Sequence, residues 1–172
     1  FALKSINIEA ARRTRSIVMF IGPLIHKLAS FNLPQSGGCK LGSRTVQPHF
    51  FALEHFGVDI KTTEDAFVVK RVPKKPSEII LYESGDTVTE NALFAAALTP
   101  STTVIKYASA NYMVQEVCAF LQLCGVKIEG TGTTTLTVTG VARINSTIQY
   151  TLSEDPTDSM FFLAAAIVTK SA

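Results

Sequence analysis

Cys39 follows Gly37 and Gly38 in a polar stretch, LPQSGGCKLGSRTVQPH (residues 33–49), with Lys40 beside it and Arg44 five residues on. Cysteine is ordinarily packed away as a small hydrophobe. Here two glycines let successive amides point the same way and form an anion-friendly nest. The flanking cations favour the thiolate, so the pattern reads as a reactive loop thiol beside an anion. Arg15 opens an otherwise apolar segment, TRSIVMFIGPLI, with Arg12 and Arg13 just ahead of it. Three arginines at a helix start oppose the macrodipole, which calls for an anionic ligand at that end. His49, one turn from the Cys39 loop, is the histidine best placed to join this group, whereas His26 and His55 are expected at the surface. Cys118 and Cys124 have apolar neighbours in VCAFLQLC and are expected in the core. No metal site is expected, because the cysteine and histidine spacings do not match a zinc site. No phosphate-binding Gly-Lys loop, dinucleotide fingerprint or Ser-His-Asp pattern occurs.

The elements that must position these residues come in two copies. FFALEHFGVDIKTTEDAFVV matches VCAFLQLCGVKIEGTGTTTLTV, and TENALFAAAL matches TDSMFFLAAAI. Both pairs share an offset of 68 residues (Gly57 to Gly125, Thr89 to Thr157). Each copy reads as an amphipathic helix, a Gly-Val turn and two short strands, preceded by a further helix and strand. The expected fold is therefore α/β, repeated β-α-β-α-β-β units with helices backing the sheets. Thr87 and Glu90 have capping-box spacing ahead of an apolar run. Asp155-Pro156 sets an N-cap acceptor and an N1 proline for a last helix, Pro48 starts another, and Gly57 closes it in the left-handed region.

Hydrophobic residues make up 47% of the 172 and charged residues 17%, the balance of a chain with a real core. A net charge of +2, from 16 basic and 14 acidic residues, is too mild for a nucleic-acid partner. No apolar run approaches a membrane span. Three cysteines offer no disulfide framework, so a cytoplasmic setting is expected.

With these residues in place, TRSIVMFIGPLI…LPQSGGCKLGSRTVQPH resembles the catalytic segment of the UDP-N-acetylglucosamine enolpyruvyl transferases. That family carries an arginine helix ending in Gly-Pro-Leu, then a Gly-Gly-Cys-x-x-Gly-x-Arg-x-Val loop and a histidine. Here these are Arg15, Gly22-Pro23-Leu24, Gly37-Gly38-Cys39, Gly42, Arg44, Val46 and His49. The likeness continues through TVTENALFAAAL, FLQLCGVKIEGTGTTTLTVTGV and DPTDSMFFLAAAI. It implies an inside-out α/β barrel of six such units in two domains, of which this chain is a partial copy. Residues 1–153 would hold the last two units of the first domain and 154–172 the opening helix of the second, with the chain truncated at both ends. The remaining half of the cleft would come from the rest of the parent chain.

The resemblance also implies the chemistry, which is transfer of enolpyruvate from phosphoenolpyruvate to the 3-hydroxyl of UDP-N-acetylglucosamine, without a cofactor. Cys39 would donate a proton to the enolpyruvyl methylene. Arg15 and Arg44 would bind substrate, with Arg44 neutralising phosphoenolpyruvate. Thr45, Val46, Gln47, Pro48 and His49 would line the uridine pocket, and Ser84, Gly85, Asp86 and Thr87 would meet the diphosphate at a helix start. The chain departs from the family pattern at Gln47, where an aspartate is usual, at Pro48, where a leucine is common, and at Ser84, where a lysine is common. Ser109-Ala110-Asn111-Tyr112 replaces Arg-Glu-Pro-Glu. These departures keep open a noncatalytic paralogue that binds a nucleotide sugar. A shikimate-type enolpyruvyl transferase shares the fold, but it does not need the loop cysteine.

Overall fold

The computed structural model describes residues 6–35, 45–145 and 147–170. Helix α1 (Ile8–Arg13) leads into a 3-10 turn (Ser16–Phe20), the short α2 (Ile21–Leu24) and β1 (Ser30–Pro34). Next come α3 (Gln47–Glu54), β2 (Val58–Thr62) and β3 (Ala66–Arg71). The second copy runs β4 (Glu78–Ile80), α4 (Asp86–Ala97), β5 (Thr102–Lys106), α5 (Tyr112–Leu123), β6 (Lys127–Glu129) and β7 (Thr135–Thr139), and α6 (Pro156–Thr169) follows it.

The repeat is topological as well as sequential. The first sheet has the order β1-β3-β2 and the second β4-β5-β7-β6. Matching β1 to β5, β2 to β6 and β3 to β7 superposes the two orders. Among the described residues only the β4–β5 pairing is parallel, as a β-α-β crossover requires, and the remaining neighbours are antiparallel. The second unit is thus the complete β-α-β-α-β-β expected from the sequence.

Alternation along the strands sends one face inward. Phe31 and Leu33 of β1 lie opposite Val69 and Phe67 of β3, and Ile105 of β5 lies opposite Leu136 of β7. All six are buried. Helix α4 packs against α2, α3 and α5 and is buried on several sides, at Val88, Ala92, Leu93 and Ala95–Ala97 among others. Its alanines permit that close approach. Gly22 permits another, because a Cβ there would collide with the Asn91 side chain and crowd the Asn91 carbonyl. Gly57 (φ +81°) leaves α3 in the left-handed region, where only glycine is unstrained.

Several local expectations change. Arg12 and Arg13 do not open a helix; they close α1, where a cation suits the dipole, and they pair with Asp65 at 2.8 Å and Glu9 at 2.7 Å. Thr87 and Glu90 form no capping box, because the helix begins two residues earlier than a Thr87 cap would start it, at Asp86, with Gly85 at the N-cap. His26 is half-buried, not a surface residue. On α5, Val114, Cys118 and Leu121 face the core, while Phe120 faces outward against the Tyr150 ring, centroids 5.7 Å apart. Cys118 and Cys124 are buried as expected, and burial raises both thiol pKa values. Asp155 caps α6 by accepting from the Thr157 amide at 2.8 Å. No residue of α6 is buried. Among the described residues no helix is long and apolar enough to cross a membrane.

Candidate active site

Three stretches of the chain, far apart in sequence, meet around a cavity of about 520 Å³. The first contributes Arg15 from the entry to the 3-10 turn. The second contributes Thr45 and His49 at the start of α3, and the third contributes Gly85, Asp86 and Thr87 at the start of α4. A volume of this order suits a small organic ligand. Two helix N-termini open on it, so backbone amides and partial positive charge face the space.

His49 is the best-determined group. The Asn91 carbonyl oxygen accepts from the Gly22 amide at 2.9 Å, which fixes the orientation of the Asn91 amide. Its Nδ2 therefore donates, to the Val18 carbonyl at 3.2 Å and to Nδ1 of His49 at 3.3 Å. Nδ1 must then be an unprotonated acceptor, and the imidazole proton sits on Nε2, which faces Thr87 Oγ1 at 3.4 Å. Burial first, and the Arg15 guanidinium second, lower the His49 pKa to about 4. The ring is neutral at physiological pH and presents an N–H toward the cavity.

Arg15 is half-buried, and its Nη2 donates to the Thr45 carbonyl at 2.9 Å. Thr45 in turn accepts from the Gln47 amide through Oγ1 at 3.1 Å. The arginine thus ties the 3-10 turn to the residue that follows segment 36–44. Asp86, at the first position of α4, is held from the other side. Its Oδ1 accepts a short hydrogen bond from Ser109 Oγ, and its Oδ2 accepts from Asn111 Nδ2 at 2.9 Å. Thr89 reinforces this arrangement by accepting from the Ser109 amide at 2.9 Å. Burial, then the charge of Asp86, raises the pKa of Glu90 on the next turn.

Six of the residues expected from the sequence therefore line one cavity: Arg15, Thr45, His49, Gly85, Asp86 and Thr87. Val46 and Pro48 do not line it. They begin α3 and turn toward the protein interior, Val46 packing on the core and Pro48 buried. Gln47 lines a different cavity, on the Phe51 and Tyr82 side of α3, because one residue along a helix is a rotation of about 100°. Ser84 turns away and donates to the Ala108 carbonyl at 3.1 Å. Cys39 and Arg44 lie outside the described residues. Sequence reasoning missed Met19, Glu83 and Met113 on the cavity wall, and Asn91 behind His49. A polar residue amid the alanines of α4 was the available signal for Asn91. Among the described residues no cluster of histidines, cysteines and carboxylates could hold a metal ion.

A repeated α/β unit, complete in its second copy, with a cavity at the leading ends of α3 and α4, defines a class of repeat-built α/β proteins. Within that class the chain belongs to the EPSP synthase (3-phosphoshikimate 1-carboxyvinyltransferase) family, whose model matches residues 4–172. It is 34% identical over 163 residues to a UDP-N-acetylglucosamine 1-carboxyvinyltransferase of Treponema denticola, covering 94% of this chain and 38% of the relative. A Legionella pneumophila protein of the same name is 35% identical over 164 residues, covering 94% and 32%. The chain spans about a third to two fifths of the length of the curated relatives it matches. Among solved structures, the enolpyruvyl transferase NikO from Streptomyces tendae superposes with a TM-score of 0.71 at 17% identity, covering 87% of this chain and 36% of that one. EPSP synthase from Acinetobacter baumannii gives 0.63, also at 17%, covering 86% and 34%. The fold expected from the sequence is the one these neighbours share.

Proposed function

We propose that the protein carrying this chain transfers enolpyruvate from phosphoenolpyruvate to the 3-hydroxyl of UDP-N-acetylglucosamine, the first committed step of peptidoglycan synthesis, in the cytoplasm. The observation that carries the reading is the meeting of Arg15, Thr45, His49 and residues 85–87 in one cavity. These are positions at which the sequence resembles that family's substrate-binding segments, and the relatives bearing the enzyme's name match over nearly the whole chain.

Forming the new C–O bond at the enol carbon requires a proton at the adjacent methylene, so the site needs an acid of moderate strength held near that carbon. Cys39 fills that role in this reading, with Arg44 neutralising phosphoenolpyruvate and Arg15 assisting substrate binding. His49 offers Nε2–H as a neutral donor, which can orient an oxygen without adding charge. The remaining part of the cleft belongs to the rest of the parent chain.

The test is phosphate release by the complete gene product, given phosphoenolpyruvate with either UDP-N-acetylglucosamine or shikimate 3-phosphate. Turnover with the nucleotide sugar alone is expected. Fosfomycin, an anionic epoxide, should form a covalent adduct on Cys39, visible by mass spectrometry. Cys39→Ser should abolish the adduct and slow turnover strongly, since a hydroxyl is a much weaker acid than a thiol. Arg44→Lys should weaken phosphoenolpyruvate binding because the bidentate fork is lost. Turnover with shikimate 3-phosphate instead, or neither adduct nor turnover, overturns the assignment.

A further inference from the structure

A second cavity, of about 580 Å³, lies on the seam between the two units, away from the first. Four separate segments build it: the end of α2, the exit of β3, the end of α4 and the stretch after β7. Six of its lining residues are nitrogen bases, His26, Lys27, Arg71, Lys74, Lys75 and Arg143, and among the described residues no carboxylate lines it. None of the five lysines and arginines enters a salt bridge among the described residues.

The arginine at its wall is fixed in place. Arg71 Nη1 donates to the Ile25 carbonyl at 2.8 Å and approaches His26 Nδ1 at 3.4 Å. His26 Nε2 faces the Phe94 carbonyl at 3.1 Å. A carbonyl can only accept, so the proton is on Nε2 and Nδ1 is free to accept from the guanidinium. The second unit therefore orients the histidine, and the histidine helps to orient the arginine of the first. Arg71 Nε, however, is buried and finds no hydrogen-bond partner among the described residues. A buried donor left unmade is costly. Beside this arginine Lys27, Lys74, Lys75 and Arg143 are exposed, so the wall presents positive charge to the cavity. An anion is the kind of occupant that matches such a wall.

We propose that this seam cavity is an anion site for a phosphate-bearing small molecule carrying more than one phosphoryl group. A single carboxylate supplies too little charge for five cations. Linked phosphates supply several negative charges and many acceptor oxygens in a compact group, which suits both the arginine donor and the lysine point charges. The apolar remainder of the wall, which includes Leu98, Pro100 and Ile144, leaves room for a nonpolar or ring portion.

The test is calorimetric titration of the complete gene product with sodium pyrophosphate, inorganic phosphate and UDP at low salt. Saturable pyrophosphate binding is expected, at least tenfold tighter than inorganic phosphate and weakened by added salt. If UDP matches pyrophosphate, the site reads the phosphates alone; tighter UDP binding means the organic portion is read too. Lys75→Glu with Arg143→Glu, both exposed and outside the Arg71 hydrogen bonds, should weaken binding at least tenfold, and Arg71→Gln should do the same. Because UDP and pyrophosphate would also enter the first cavity if the enzyme reading stands, these comparisons are made in the Arg15→Ala background, where binding at the seam is expected to persist. Absence of saturable binding overturns the proposal. So does binding that survives the Lys75 and Arg143 changes, or binding lost with Arg15→Ala.

Discussion

Lowering the pH from 7 to 4.5 should destabilise the protein through His49. The folded pKa is about 4, against about 6.5 for an unfolded histidine. Between those values the unfolded chain binds more protons than the folded one, so stability rises with pH through the window and is lost as pH falls. Integrating the two titration curves from pH 7 to 4.5 gives a loss of about 2 kcal/mol from this one residue. The physical causes are burial of the ring first and the Arg15 guanidinium second, and protonation at Nδ1 would in addition break the contact from Asn91 Nδ2. Urea unfolding across this pH range reads the effect as a fall in midpoint of about 1 M, taking a slope of about 2 kcal/mol/M. His26, whose pKa is also lowered, adds in the same direction, while Glu90, whose pKa is raised, opposes it. The informative quantity is therefore the difference between the protein and His49→Gln. The variant should lose about 2 kcal/mol less than the parent over the same interval. Equal pH dependence in the two would refute both the tautomer and the burial argument.

Asn91→Leu removes the partner of the Gly22 amide and of the Val18 carbonyl in a fully buried position, and should cost about 2–4 kcal/mol in urea unfolding; a cost below about 0.5 kcal/mol contradicts the account. Asp86→Ala and Asn111→Ala, combined in a double-mutant cycle of thermal or urea unfolding, should show a coupling of about 1 kcal/mol through the Oδ2–Nδ2 bond, and additivity would show the bond to be idle. Thiol labelling of the folded protein should modify Cys39 first and spare Cys118 and Cys124, whose burial holds the thiols neutral; equal rates at all three would contradict it.

The repeat was legible because it is written twice. The offset shared by Gly57 with Gly125 and by Thr89 with Thr157 forces two copies of one topology, and the strand orders β1-β3-β2 and β5-β7-β6 follow from it. Local boundaries were less legible. The helix α4 starts at Asp86 and not at a Thr87 cap because Ser109 and Asn111, supplied by the second half of the same unit, hold that carboxylate in place. Such tertiary partners leave no trace within the four residues of a capping pattern. The same limit applies to Arg12 and Arg13, since an end-of-helix pair looks like a start-of-helix cluster until the break at Thr14 is known. Within segment 45–49 the sequence marked a contiguous run, whereas Thr45, ahead of the helix, shares one cavity with His49, and rotation along α3 turns Gln47 to another.

The departures from the family pattern also look different once they are placed in space. Ser109-Ala110-Asn111-Tyr112, taken alone, reads as the loss of a charged motif. In the fold, Ser109 and Asn111 supply the two donors that satisfy both oxygens of Asp86. A half-buried carboxylate at the rim of a cavity would be costly without them. The pair of donors without the carboxylate would in turn have little to bind at that helix start. Asp86 and its two donors therefore form a matched set, which preserves the start of α4 and the cavity wall it builds. The altered motif thus leaves no unsatisfied carboxylate at the Asp86 end of the cavity. Asp86 already supplies negative charge to the N-terminus of α4, which weighs against the diphosphate contact that the resemblance implies for residues 84–87.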